Sequence, residues 1–143
     1  MTKHVLFLCT GNYYRSRHAA IFFKHRAARE SVDWIAASRG LRIGWPGNFG
    51  AMSHYIEDRL GQLGICCDEY RHMPLQCRRC DLEQASIVVA LKEDEHRPMV
   101  AKYFPDWEER VRYWHVHDVD AAHPETALPE IEGLVEVLIA ELK

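Results

Sequence analysis

The sequence predicts an α/β fold: a four-stranded parallel sheet with helices on both faces, in one domain spanning residues 1–143. Three observations predict it. Short apolar runs alternate with helical stretches, the pattern of βαβ units. The first run, Val5-Leu6-Phe7-Leu8, is continuously apolar and too short for a helix, as expected of a strand buried on both sides. A chain of 143 residues is long enough to bury a full core.

The elements follow in order. A strand is expected over 4–9 and a helix over 16–30, where Ala19, Ala20, Phe22, Phe23 and Ala27 supply the apolar positions. A second strand is expected over 33–38. Residues 39–50, rich in glycine and holding Pro46, read as a loop. A helix over 51–63 comes next, then a loop over 66–80. A strand over 86–91, a helix over 94–103 and a strand over 111–116 complete the sheet. The last helix, over 128–142, carries Ile131, Leu134, Val135, Leu138 and Leu142 at helical spacing, which is a core stripe.

Charge and composition narrow the function. A formal net charge of −3 provides no overall basic field, so nucleic acid is not expected as a partner. No apolar run approaches membrane-spanning length, and Met1-Thr2-Lys3 leads straight into the first strand. No membrane association or export is expected. Five cysteines, an odd number, fit a reducing cytoplasm better than a disulfide framework. Cys77-x2-Cys80 with Cys66-Cys67 is a conceivable zinc set, but the adjacent pair has poor ligand spacing. His115 and His117 share a strand face beside Asp118; the chemistry argued below needs neither a metal nor a cofactor.

The chemistry concentrates where the first strand meets the first helix, in VLFLCTGNYYRS over residues 5–16. Cys9 ends the strand, and Arg15 follows after five residues. The intervening Thr10, Gly11, Asn12, Tyr13 and Tyr14 form a loop whose amides can turn inward as an anion nest at the positive end of a helix. Gly11 permits φ > 0, and Asn12 tolerates it. Arg15 can hold two oxygens in a planar fork. The same field favours a nucleophilic thiolate at Cys9, to which the Ser16 hydroxyl can donate. These residue types in this order point to attack on a tetrahedral oxyanion, above all a phosphate ester. The plain alternative is a buried structural cysteine at a strand end.

VLFLCTGNYYRS resembles the loop of the low-molecular-weight protein tyrosine phosphatases, whose relatives the thioredoxin-coupled arsenate reductases share it. The resemblance continues through Ala37-Ser38-Arg39-Gly40, the helix from Tyr55 ending Leu63-Gly64-Ile65, Ser86-Ile87-Val88-Val89-Ala90-Leu91, and Trp114 to Asp118. It implies a metal-independent hydrolase acting on a phosphotyrosine protein or a small aryl phosphate, through a cysteinyl-phosphate. It also implies an aspartate acid after the last strand. Asp118 matches best, with Val119 where the family has proline, and Asp120 is the second candidate. Trp45 and Phe49 fall where the family offers an aromatic wall to the substrate ring; packing within the loop is the other reading. Tyr14 replaces a cysteine that many members carry.

Two other functions remain open on the sequence. A reductase needs a cysteine relay, and Leu91-Lys92-Glu93-Asp94 stands where the reductases carry a redox pair. A phosphate- or phosphoprotein-binding module would keep the loop without turnover.

Overall fold

The first strand, β1 (Lys3–Cys9), has its last five residues buried, and its side chains alternate between two cores. Val5, Phe7 and Cys9 join one hydrophobic cluster; Leu6 and Leu8 join the other. A strand buried on both faces has no polar alternation to show, which is why its sequence reads as one apolar run. The computed structural model describes residues 2–44, 48, 50–119 and 121–143.

Helix α1 (Arg15–Arg29) leads to β2 (Trp34–Gly40), which pairs parallel to β1 with Phe7 opposite Ser38 and Cys9 opposite Gly40. Helix α2 (His54–Gln62) follows, and a 3₁₀ turn at Asp68–Tyr70 precedes the short helix α3 (Arg79–Gln84). Strand β3 (Ile87–Ala90) pairs parallel to the other edge of β1. Helix α4 (Glu93–Tyr103) and a 3₁₀ turn at Pro105–Trp107 lead to β4 (Arg112–Tyr113), and α5 (Pro124–Leu142) ends the chain. The strand order is β2-β1-β3-β4, every pair parallel. The predicted fold class is the observed one.

Residues of α1, α2 and α5 share a cluster with Val5, Phe7 and Cys9, whereas Leu82 of α3 and Val100 of α4 pack with Leu6 and Leu8. Helices therefore cover both faces, and the C-terminal end of β1, at Cys9, is left to line a cavity. Ligands of open α/β sheets bind at such ends.

Several boundaries differ from the sequence reading. Helix α2 starts at His54 rather than at residue 51, because the Ser53 side chain caps it by accepting from the Tyr55 amide at 3.3 Å. Helix α5 starts four residues earlier than expected. His123 caps it, accepting from the Glu125 amide at 3.1 Å, and Pro124 takes the first turn, where a missing N–H is harmless. The expected strand 111–116 pairs as a regular ladder only at Arg112–Tyr113, after which Trp114 and Val116 still donate to Ala90 O and Leu91 O at 2.9 and 2.8 Å. Helix α3 lies partly in the stretch expected to be loop. Six residues are too few for a periodic signal, and its start is set by one bond, Arg78 N to Asp81 Oδ2 at 2.8 Å.

Candidate active site

The loop between β1 and α1 is held from outside by its carbonyls. Cys9 O accepts from Leu41 N (2.8 Å), Thr10 O from Arg42 N (2.9 Å), Tyr13 O from Ser53 N (3.0 Å) and Tyr14 O from His18 N (3.1 Å). Asn12 O accepts from Arg17 Nε at 2.9 Å. Every described peptide is trans, so the N–H after each outward carbonyl points the opposite way. The amides of Thr10, Gly11, Tyr13, Tyr14 and Arg15 thus turn toward the space above Cys9. Helix α1 adds its positive end: no side chain caps it, and its first turn holds no acidic residue.

Of the two residues expected to tolerate a positive φ in this loop, only one adopts it. Asn12, at φ 52°, takes the left-handed conformation, and Gly11 does not. Gly11 serves instead by its small size, since a Cβ there would meet Asn48 Nδ2 at 3.3 Å. Gly40, at the end of β2, is more constrained. A Cβ there would lie 2.6 Å from Ile43 Cγ2, 2.8 Å from Thr10 O and 3.0 Å from Asn12 N.

Asn12 also organises the surroundings of Cys9. Its Oδ1 accepts from the Leu75 amide at 2.9 Å, and because a backbone N–H can only donate, the side-chain orientation is fixed. Nδ2 therefore donates to Ser38 Oγ and Ser16 Oγ, each at 3.0 Å. Ser16 Oγ lies 2.9 Å from Cys9 Sγ and, already accepting from Asn12, has its proton available for the sulfur. Cys9, Asn12, Ser16 and Ser38 are all buried.

Arg15, only 2 % exposed, reaches over the same space. Its Nη1 donates to Val116 O at 3.1 Å and its Nη2 to Glu95 Oε2 at 2.7 Å, while Asp118 Oδ2 lies 3.6 Å from Nη2. Burial opposes the cation, yet the Glu95 hydrogen bond and the negative charge of its surroundings raise the Arg15 pKa above its ordinary value. Val116 is buried between exposed His115 and His117, so the segment alternates as the sequence suggested, and its carbonyl joins Asp118 at Arg15.

Glu95 is the site residue that sequence reading missed. On the first turn of α4, its Oε2 accepts from Arg15, from His96 Nε2 at 3.1 Å and from the Thr10 hydroxyl. His96 Nδ1 accepts from the Lys92 amide at 3.0 Å, which places the ring proton on Nε2, facing Glu95. Burial alone would raise the Glu95 pKa. Bonds from His96 and Arg15, the Arg15 charge and the Thr10 bond outweigh burial and hold it well below the usual carboxylate range.

Arg17 was missed too. It is 1 % exposed and donates to Asn12 O and to the carbonyls of Tyr70 (2.9 Å), Ala51 (3.2 Å) and His72 (2.5 Å). Burial lowers its pKa to about 10, against the pull of Cys9, so it stays cationic at neutral pH.

A cavity of about 720 Å³ opens over the loop, and its lining includes Cys9, Thr10, Gly11, Tyr13, Tyr14, Arg15, Glu95 and Asp118. Met52, Ser53, His54 and Tyr55 form one wall; Glu95 and Met99 of α4 form another. The Tyr14 side chain does not project into solvent. It is 5 % exposed, and burial with the nearby Asp118 charge pushes its hydroxyl up to about 12. Trp45, Phe49 and Asp120 lie outside the described residues. Of the cysteines discussed for zinc, Cys66 and Cys80 are exposed and Cys67 and Cys77 buried, with Cys77 pushed up to about 12 by burial and Asp81. Among the described residues no helix is long and apolar enough to cross a membrane.

The comparisons agree with this geometry. A low molecular weight protein tyrosine phosphatase from T. tengcongensis superposes with a TM-score of 0.83 at 25% identity, covering 99% of this chain and 100% of that one. YfkJ from Bacillus subtilis gives 0.85 at 22% identity, covering 99% and 94%. The YwlE arginine phosphatase from Geobacillus stearothermophilus gives 0.78 at 22% identity, covering 98% and 92%. The last two share the fold. No curated protein sequence matches the chain significantly. The model of the low molecular weight phosphotyrosine protein phosphatase family matches residues 4–142, and the chain belongs to that family.

Proposed function

We propose that this protein is a metal-independent phosphomonoester hydrolase, specifically a protein tyrosine phosphatase, acting through a cysteinyl-phosphate. The observation that carries the proposal is Cys9 Sγ, 2.9 Å from Ser16 Oγ, at the base of a cavity ringed by inward amides and Arg15.

The amides and Arg15 bind the phosphoryl oxygens. The Cys9 thiolate attacks phosphorus opposite the ester oxygen; the S–P bond forms as the P–O bond breaks. Asp118 gives its proton to the departing oxygen, without which the phenolate of tyrosine leaves poorly. Water then attacks phosphorus, Asp118 takes its proton, the S–P bond breaks, and Cys9 departs as thiolate stabilised by Ser16. The fixed donors match the three equatorial oxygens of the in-line transition state better than those of the ground state.

An aryl substrate is supported by Tyr13, Tyr14 and Tyr55, which line the cavity, and by the His54–Tyr55 ring pair, whose centroids are 4.1 Å apart. The test is hydrolysis of para-nitrophenyl phosphate with a chelator present, beside Cys9→Ser and with vanadate. Turnover that survives chelation, is blocked by vanadate and is lost in the variant supports the proposal; turnover by Cys9→Ser sinks it. Phosphotyrosine and phosphoarginine peptides run side by side decide the substrate class, since one structural neighbour is an arginine phosphatase.

A further inference from the structure

Glu95 is an unexpected group to find on a phosphate-binding arginine. Its carboxylate shares Arg15 with the space where the phosphoryl group must sit, and no proton neutralises it at neutral pH. Three hydrogen-bond donors converge on Oε2 alone: Arg15, His96 and Thr10. Oε1 has no hydrogen-bond partner among the described residues, and the side chain, 28% exposed, lines the cavity with Met99 one helical turn further along α4.

The charges explain what this carboxylate requires. In the ligand-free site Glu95 and Arg15 neutralise each other. Once a phosphate dianion takes Arg15, the dianion, the Cys9 thiolate and Glu95 together exceed the positive charge available. Arg15 is shared, Arg17 lies behind the loop bonded to carbonyls, and Arg42 is exposed at the rim. Among the described residues Arg15 is the one cation paired with Glu95, since burial together with Arg15 keeps the neighbouring His96 neutral against the pull of Glu95. The missing charge can come from the substrate.

We propose that Glu95 is a specificity-determining residue: its Oε1 takes a cationic side chain of the substrate, so that the preferred phosphotyrosine segments carry an arginine or lysine next to the phosphorylated residue. The assignment rests on phosphoryl transfer at Cys9. Met99 offers the apolar surface along which the methylene stem of such a side chain would lie.

The experiment compares kcat/KM for three phosphotyrosine peptides that differ only in the flanking residues, arginine, alanine or glutamate. They are run on wild-type protein and on Glu95→Gln, with vanadate inhibition measured on both. The glutamine keeps the size and an acceptor oxygen and removes only the charge. The wild type should favour the arginine peptide over the alanine peptide by roughly tenfold at low salt, and the ratio should shrink as salt is added. In Glu95→Gln the ratio should approach one and vanadate should bind more tightly, because a competing anion is gone. An unchanged ratio in the variant, or weaker vanadate binding together with equal losses on every peptide, overturns the proposal and leaves Glu95 only the task of holding Arg15. If the variant does not fold, a wild-type ratio near one, or one insensitive to salt, overturns it equally. Para-nitrophenyl phosphate carries no cation. Failure to hydrolyse it marks a failure of the phosphatase reading itself, distinct from a failure of the charge preference.

Discussion

The Cys9 sulfur lies 2.9 Å from the Ser16 hydroxyl oxygen, and the Asn12 amide, 3.0 Å from that oxygen, leaves the hydroxyl proton to the sulfur. In the proposed mechanism Ser16 is thus a donor both to the attacking thiolate and to the departing one. A hydrogen bond to a charged group contributes about 1.5–3 kcal/mol, a factor of roughly 10 to 100 in rate. Ser16→Ala should lower kcat by that factor and slow alkylation of Cys9 by iodoacetamide at neutral pH. Unchanged alkylation would show that the bond does not stabilise the thiolate.

Asp118 stands 3.6 Å from Arg15 with its carboxylate 41% exposed, free to meet a leaving group at the cavity mouth. Asp118→Asn should cost about 10²–10⁴ in rate on phosphotyrosine, where the leaving oxygen needs a proton, and much less on para-nitrophenyl phosphate. The comparison to make is log kcat against leaving-group acidity. Parallel lines for wild type and variant would remove Asp118 from the acid role.

Gly40 is where the β2 terminus touches the loop between β1 and α1. Gly40→Ala brings a methyl group within 2.8 Å of Thr10 O and 2.6 Å of Ile43 Cγ2, so backbone must shift. A loss of about 1–3 kcal/mol in denaturant unfolding is expected, the usual cost of forcing volume into a packed site. Weaker vanadate binding should accompany it, because Thr10 and Asn12 carry the anion loop. Full stability with full vanadate affinity would contradict the packing argument.

Glu132 on α5 accepts from Arg59 Nε and Nη2 at 2.8 and 2.7 Å and from His18 Nε2 at 2.8 Å, tying α5 to α2 and α1. Burial opposes the carboxylate, but the bonds from Arg59 and His18 bring it down to about 2 from an ordinary 4.5. Burial also lowers the His18 pKa below its ordinary 6.5, against the pull of Glu132. Both folded values lie below the unfolded ones, so the unfolded chain binds more protons in acid. The stabilisation is complete above about pH 6.5 and is lost as pH falls toward 2. Urea midpoints across pH 7 to 3 should fall steadily, and Glu132→Gln should lose about 3–5 kcal/mol at neutral pH while flattening that fall. A midpoint independent of pH, or a variant as steep as wild type, would contradict the assignment.

The loop between β1 and α1 was legible in the sequence because its parts are neighbours in it. Cys9, Asn12, Arg15 and Ser16 lie within eight residues, and the strand before them and helix after them fix how they meet. The sheet was legible because buried parallel strands are continuous apolar runs. Asp118 was found by its place in a resemblance, and only the fold puts it beside Arg15. Glu95 was illegible for the opposite reason. Eighty residues from Arg15, it is one of three acids in the first turn of α4, where acids ordinarily answer the helix dipole. Nothing local distinguishes it from Glu93 or Asp94. Arg17 read as an ordinary helix residue because its partners are backbone carbonyls, which leave no side-chain pattern. Gly11 and Asn12 both drew the left-handed expectation, and Asn12 alone fulfils it, because side-chain bonds to Leu75, Ser16 and Ser38 fix Asn12 in place.

The most direct test of the central claim is acid quenching during turnover of para-nitrophenyl phosphate, followed by intact-mass measurement on wild type, Asp118→Asn and Cys9→Ser. The account predicts one phosphoryl group added to the protein, accumulating in Asp118→Asn because the nitrophenolate departs unaided while water lacks its base. It predicts none in Cys9→Ser. Turnover by the wild type with no phosphorylated Cys9 in either it or Asp118→Asn would contradict the account, because water would then be attacking the phosphate directly.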